Sequence, residues 1–334
     1  MTTSLISELI QLIQYHKQHC KLYSDYVDSM YPDGVQNCKS LADLPYVPVR
    51  AFKEMDLFSI PEPDIFKVMY SSGTTGKQSK IYLDKDTAKS QSLHLTTSFK
   101  NNFGGSRFPM LVIDSDKTRK GRTARSAAVN GFSLYSKKRC FALDENMNLK
   151  LEEVQDFLEQ NKGTEVFVFG FTFVLYQYFF NLLREQEVSL DLSNAFVLHG
   201  GGWKKLQNLK VADEDFKALI KDTTGCTRVH NYYGMIEQTG SIYFECSHGR
   251  LHAPHNGSVI TRSKSTLEPL GYGEEGLIQV FSTIQKSYPG HSLLTEDVGV
   301  VYPGSDCGCG NSADIVEIRG RLEKAEIRGC SDAV

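Results

Sequence analysis

No stretch of the 334 residues is long and apolar enough to cross a bilayer. A spanning helix needs about 20 consecutive apolar residues, and the longest apolar run, 167–180, is interrupted by Gly170, Thr172 and Gln177. The N-terminus, Met1-Thr2-Thr3-Ser4-Leu5-Ile6-Ser7-Glu8, has neither the basic start nor the cleavage-site pattern of a secretion signal. A soluble, cytoplasmic protein is therefore expected. Charge of one sign is also missing. The net charge is −3, from 37 basic and 40 acidic residues, so no overall field favours nucleic acid or an anionic membrane as partner. Internal repeats and low-complexity segments are absent, which excludes repeat architectures. What remains is an ordinary globular composition, long enough for one large domain or two smaller ones.

Two features depart from that plain background. Lys117, Arg119, Lys120, Arg122 and Arg125 form a basic cluster, which reads as a solvated loop or as a docking surface for an acidic partner. Eight cysteines are spread unevenly: Cys20, Cys38, Cys140, Cys226, Cys246, Cys307, Cys309 and Cys330. A cytosolic chain of this size does not need disulfides, so clusters among them point to metal or chemistry.

Leu5, Ile6, Leu9, Ile10, Leu12 and Ile13 recur at helical spacing and predict an amphipathic helix over the first twenty residues. Prolines 45, 48, 61 and 63 punctuate the next stretch, with a short helix around 50–57. Strands are predicted at 66–70, 80–83, 109–114, 165–169 and 195–199, and helices at 86–101, 149–161 and 172–187. This alternation argues for an α/β fold with helix-covered sheets. After residue 240, glycines 257, 271, 273, 276, 299 and 304 space short strand-like runs, which predicts a β-rich subdomain, with a last strand near 315–319.

Between two of the predicted strands lies Ser71-Ser72-Gly73-Thr74-Thr75-Gly76-Lys77. Glycines let the backbone approach an anion closely, hydroxyls and N–H groups donate to phosphate oxygens, and the lysine adds charge. A Walker loop has four residues between its glycines and Ser or Thr after the lysine. Here two residues separate Gly73 from Gly76 and Gln78 follows Lys77, so a P-loop NTPase is a poor fit.

The same loop resembles the phosphate loop of the adenylate-forming superfamily of acyl-CoA synthetases and firefly-luciferase-like enzymes. Further resemblances follow in that superfamily's order: His199-Gly200-Gly201-Gly202-Trp203-Lys204, Asn231-Tyr232-Tyr233-Gly234-Met235-Ile236-Glu237, Thr295-Glu296-Asp297-Val298-Gly299, then Arg319-Gly320-Arg321 with Ile327-Arg328-Gly329. The 44–53 segment, His-Gly-Gly-Gly-Trp-Lys and the ending Arg-Gly-Cys-Ser-Asp are similar to the acyl-protein synthetases, the long-chain-fatty-acid–protein ligases of bacterial luminescence. The resemblance implies a large adenylate-forming N-terminal domain. Its expected parts are a helical segment 1–60 packed on the core, an α/β adenylation core 61–240, a β-rich subdomain 241–320 and a hinge-like tail 321–334. It also implies ATP and Mg²⁺, a fatty acid as the carboxylic substrate, and an acyl-accepting reductase or carrier protein.

Carried over residue by residue, Ser71, Ser72, Gly73, Thr74, Thr75, Gly76 and Lys77 hold phosphates. Gly200, Gly201 and Gly202 lie beside the adenine, and Tyr233 stacks on it, with Tyr232 as the alternative. Glu237 helps to hold Mg²⁺, whose coordination sphere is mostly phosphate and water. Asp297 takes the ribose hydroxyls, Gly234 is a further ATP-binding position, and Arg321 matches the hinge arginine that reaches ribose or phosphate. Superfamily members usually continue into a small mobile domain with a catalytic lysine. That domain is expected to be absent here, with Lys77, Lys204, a partner or Mg²⁺ and backbone donors serving instead. Cys330 matches the acylatable tail cysteine: its thiolate attacks the adenylate's acyl carbon and AMP leaves, with nearby Arg328 favouring the thiolate.

Cys246, Cys307 and Cys309, together with His248 or His252, make a candidate tetrahedral Zn²⁺ set. Phenylacetate–CoA-ligase-like members are similar here, although one residue between Cys307 and Cys309 is tighter than the usual two. Aromatic Phe171, Phe173 and Tyr176 suggest an apolar acyl pocket or plain core. Two other classes stay open: an acid–CoA ligase of the phenylacetate type, and a nucleotide-binding subunit without activity.

Overall fold

The computed structural model describes residues 2–71, 77–121, 123–202 and 211–322. They form two compact units. One comprises the chain up to Ser71, residues 77–102 and the residues from Gly234 on, and the other runs from Phe103 to Tyr233.

The first unit opens with α1 (Thr2–His19) and α2 (Lys21–Met30). The helical spacing of Leu9, Leu12, Ile13 and His16 puts them on one face, and all four are buried. After β1 (Val47–Pro48) and the short α3 (Ala51–Glu54) come β2 (Lys67–Tyr70) and β3 (Lys80–Leu83). These two pair antiparallel with Tyr70 opposite Lys80, so residues 71–79 form the connection of a hairpin. Helix α4 (Lys85–Phe103) follows.

The second unit alternates strand and helix: β4 (Phe108–Ser115), α5 (Ala124–Phe132), β5 (Ser136–Leu143), α6 (Leu151–Gln160) and β6 (Val166–Phe171). Then come α7 (Thr172–Leu175), a π-helical turn (Tyr176–Phe180), α8 (Asn181–Glu185), β7 (Ala195–Gly200), α9 (Asp213–Thr224) and β8 (Arg228–Tyr233). The five strands are parallel in the order β5-β4-β6-β7-β8. Every residue of β4, β6 and β7 is buried, as unbroken apolar runs covered on both faces require. Phe167 stacks on Phe196 at 4.9 Å, and Phe103 stacks on Phe196 at 5.2 Å.

Two expectations change in this unit. The single helix foreseen over 172–187 is broken by the π turn, and α8 stops at Glu185. Strand β5 was not foreseen because Lys137, Lys138 and Arg139 mask its periodicity. They are exposed on the sheet edge, where charge discourages pairing with another chain. The basic cluster also divides. Lys117, Arg119 and Lys120 are exposed, whereas Arg125 is buried and makes a bidentate pair with Asp114, Nε to Oδ2 and Nη2 to Oδ1 both at 2.8 Å. Arg125 is therefore a core residue, and Arg122 lies outside the described residues.

From Gly234 on, the first unit continues with the β-rich region expected after residue 240: β9 (Tyr243–Glu245), β10 (Leu251–His252), β11 (Gly257–Arg262), β12 (Glu275–Ser282), β13 (Ser292–Tyr302) and β14 (Ile315–Arg321). Their order is β11-β12-β13-β14-β10-β9, antiparallel, with β1 parallel to β13. Helix α1 docks here through His16, which is 2.7 Å from Ser59 Oγ and 3.0 Å from the Gln285 carbonyl and stacks on His291 at 5.0 Å.

Candidate functional site

The β2–β3 hairpin carries the glycine loop, of which Ser72, Gly73, Thr74, Thr75 and Gly76 lie outside the described residues. The foot of the loop is closed by hydrogen bonds to Ser71. Ser71 N–H donates to the Ser79 carbonyl at 3.1 Å, and Ser79 N–H donates to Ser71 Oγ at 2.9 Å. Gln78 Nε2 adds a bond to the Ser71 carbonyl at 2.8 Å. Lys77 projects into solvent and pairs with Glu54 of α3 at 2.7 Å. An exposed pair of this kind is worth little and exchanges readily, so the lysine is available to an anion.

Glu237 sits in a 3₁₀ turn, Ile236–Gln238, just after the second unit's last strand, and only 4% of it is exposed. Burial raises its carboxyl above the usual range. Ser79 and Arg321 oppose the rise, and Asp297 adds to it. Glu237, Ser79, Asp297 and Arg321 therefore share one electrostatic neighbourhood, although they are far apart along the chain. Glu237 Oε1 and Ser79 Oγ are buried side by side and, apart from their own interaction, meet no hydrogen-bond partner among the described residues. Buried polar groups are costly unless paired, and these two retain hydrogen-bonding capacity that the other described residues do not use. Asp297 on β13 faces Arg321 on β14 across the ladder, with Arg321 Nε 3.0 Å from Asp297 Oδ1 and Arg321 Nη2 3.5 Å from Glu296.

In the second unit the chemistry-bearing residues lie at the carboxyl ends of parallel strands, where open α/β sheets bind ligands. Gly200 ends β7, and a Cβ there would meet Tyr232 Cε1 at 2.4 Å, so only glycine fits. Gly201 follows with φ +78°, a conformation that favours glycine, and Gly202 is exposed. Strand alternation separates the two tyrosines. Tyr232 is buried under Gly200 and beside Phe169, and Tyr233 is half-buried. His199 is buried, with Nδ1 2.9 Å from Thr172 Oγ1, and burial lowers it to about 3 against the opposing charge of Asp213. Phe171 is fully buried core, whereas Phe173 and Tyr176 are half-buried.

The cysteine cluster forms in the first unit. The ligand atoms of Cys246, His252, Cys307 and Cys309 lie within 4.8 Å of one another. Cys246 Sγ is 3.5 Å from Cys307 Sγ, and Cys309 Sγ is 3.3 Å from His252 Nε2. His252 Nδ1–H donates to the Ala313 carbonyl at 2.8 Å, which leaves Nε2 as the free lone pair facing the thiols. His248 instead turns Nδ1 to the Cys307 carbonyl at 2.7 Å, and its backbone N–H donates to Cys246 Sγ at 3.4 Å. Of the two candidate histidines, His252 is the one in the quartet. Burial, and then the adjoining Cys246 and Cys309 thiols, push Cys307 up to about 11. Three sulfurs and one imidazole nitrogen gathered this closely make a donor set that fits Zn²⁺.

Lys204, Trp203, Arg328 and Cys330 lie outside the described residues. The sequence reading missed Ser79 and Tyr288. Ser79 lies two residues beyond the glycine loop's Lys77, and Tyr288 belongs to no motif.

The acyl-protein synthetase family, LuxE, matches residues 4–334. Two long-chain-fatty-acid–luciferin-component ligases are similar over nearly the whole chain. The one from Aliivibrio fischeri is 22% identical, covering 95% of this chain and 84% of its own, and the one from Vibrio harveyi is 21% identical, covering 98% and 86%. Among solved structures, 2-hydroxyisobutyryl-CoA ligase in complex with 2-HIB-AMP and CoA has a TM-score of 0.75 at 15% identity, covering 97% of this chain and 75% of that one. ATP-bound MatB from Rhodopseudomonas palustris has a TM-score of 0.53 at 16% identity, covering 79% and 49%. These structures share the adenylate-forming fold, and the family match fixes the kinship. The chain belongs to the acyl-protein synthetase family, LuxE, and is a ligase that forms an acyl-adenylate and transfers the acyl group to a thiol.

Proposed function

We propose that the acid is a fatty acid and that the acyl group passes through Cys330 to a partner reductase or carrier protein. The observation that supports the ATP site most directly is the buried Glu237 carboxylate, whose Oε1 lies beside Ser79 at the foot of residues 71–77 and meets no other partner among the described residues. In this reading residues 71–77 hold the phosphates, Asp297 and Arg321 the ribose, and Gly200, Gly201, Gly202 and Tyr233 the adenine. Glu237 would hold Mg²⁺, which supplies charge neutralisation on the phosphates when bound. A carboxylate oxygen of the acid attacks the α-phosphorus, the Pα–O–Pβ bond breaks, and pyrophosphate leaves. Lys77, released from Glu54, and Lys204 are the candidate cations for the developing charge. The Cys330 thiolate then attacks the acyl carbon, and AMP departs with the bonding electrons. Cys246, His252, Cys307 and Cys309 would hold a structural Zn²⁺ that staples two β turns. The seven described cysteines are all free, in keeping with a reducing, cytoplasmic setting.

Acid-dependent ATP–pyrophosphate exchange, followed by intact mass, tests this. Cys330→Ala is expected to keep exchange and lose the protein-bound acyl group. Acyl mass persisting on the variant would remove Cys330 from the mechanism. The Cys/His quartet keeps an acid–CoA ligase as the second reading, and thioester on coenzyme A in place of protein would select it.

A further inference from the structure

The turn that carries Glu237 is gripped from one side by residues 287–291. Tyr288, fully buried, donates its hydroxyl to the Glu237 carbonyl at 3.0 Å. Gln238 Nε2 donates to the Gly290 carbonyl at 2.9 Å and lies 3.3 Å from the Val280 carbonyl. Gly290 comes so close that a Cβ there would lie 2.8 Å from the Glu237 carbonyl oxygen. On the other side the same turn touches α4, where a Cβ on Gly240 would be 2.9 Å from the Gln91 backbone and Gln91 Nε2 is 3.4 Å from the Tyr288 hydroxyl.

Residues 287–291 are themselves anchored at three places. Ser59 N–H donates to the Ser287 carbonyl at 2.7 Å. Ser287 Oγ donates to the Tyr82 carbonyl of β3 at 2.8 Å. His291 meets the Tyr23 hydroxyl at 3.1 Å and stacks on His16. The Phe52 ring of α3 stands edge-on to Tyr288 at 6.0 Å. One segment thus touches both the strand that leaves the phosphate loop and the turn that presents Glu237.

We infer that Ser287–His291 is a strut and that Tyr288 is a positioning residue, fixing the Glu237 carboxylate relative to the β2–β3 hairpin so that metal and phosphate meet it together. The inference rests on the proposed role of Glu237. Nothing in it needs Tyr288 to touch substrate: the phenol acts through a backbone carbonyl, which sets the direction of the Glu237 side chain. Small displacements of a metal ligand weaken binding far more than they weaken the fold.

The test measures Mn²⁺ binding to the enzyme–ATP complex by electron paramagnetic resonance, with the acid KM and Tm determined in parallel. Tyr288→Phe is expected to weaken Mn²⁺ binding about tenfold, the scale of one lost hydrogen bond, with the acid KM unchanged and a cooperative melt retained. Gln238→Met, which releases the Gly290 carbonyl, is expected to act in the same direction, and it serves if the first variant fails to fold. Glu237→Gln is the reference. If Glu237→Gln loses Mn²⁺ affinity while Tyr288→Phe and Gln238→Met keep it, the strut is overturned. If Glu237→Gln itself binds Mn²⁺ as the unaltered protein does, the underlying role of Glu237 fails instead.

Discussion

At Gly200 the side chain is a hydrogen atom because the Tyr232 ring leaves room for nothing larger. Gly200→Ala is expected to destabilise the protein by about 1–3 kcal/mol through overpacking and to weaken ATP binding as the turn shifts. Urea unfolding and ATP titration would register both, and unchanged values would show that Tyr232 can move aside freely. Which tyrosine lies under the glycine turn was not legible in Asn231-Tyr232-Tyr233, since adjacent identical residues offer the same side chain to the same role. The alternation of β8 decides it. Glu237 was legible as a residue type at the right spacing, whereas its electrostatic surroundings depend on Ser79 of the hairpin connection and on Asp297 and Arg321 of β13 and β14.

Among the elements, β10 shows how a local pattern can fall short. It is two residues long and lies between β9 and β14, with His252 opposite Phe244 on one side and Ile315 on the other. So short a strand gains little from its own ladder, and the Cys/His quartet ties it to the turn at 304–310. Purified protein is expected to contain zinc. His252→Ala should lose it and lower Tm by about 5 °C or more, given the folding free energy such sites contribute. Elemental analysis finding no zinc in the unaltered protein would remove the metal. The tight Cys307-Gly308-Cys309 spacing weakened the motif in sequence, because ligand spacing is calibrated on single knuckles and here the fourth donor comes from β10. Helix α1 was plain from its periodicity, but its buried His16 was not: a histidine on the apolar face becomes core only when Ser59, Gln285 and His291 meet it.

Over the whole molecule, three buried histidines make stability depend on pH. Burial lowers His16 and His199 to about 3 and His291 well below its ordinary value. Their folded forms are neutral, and the unfolded chain takes up protons near pH 6.5. Their contribution is therefore complete above about pH 6.5 and is lost as pH falls from there toward 3, by about 1.4 kcal/mol per pH unit for each group. Denaturant midpoints measured between pH 7.5 and 5 should fall accordingly. His16→Gln combined with His291→Gln, in a chain that still folds, should flatten that slope, and an unchanged slope would place the titration elsewhere.

The amino-acid order alone determined the alternation of apolar strands and amphipathic helices, the glycine loop, and the five ordered motifs that carry the family resemblance. These are legible because each depends on residues close in sequence, through side-chain period, backbone freedom or a fixed spacing of donors. Only the tertiary structure decided that Arg125 is a core ion pair and not part of a basic surface, that His252 and not His248 joins the three thiols, and that Tyr288 reaches Glu237. Each of those depends on which strand lies beside which, and in a sheet ordered β11-β12-β13-β14-β10-β9 the neighbours that set burial and hydrogen bonding are separated by up to scores of residues along the chain.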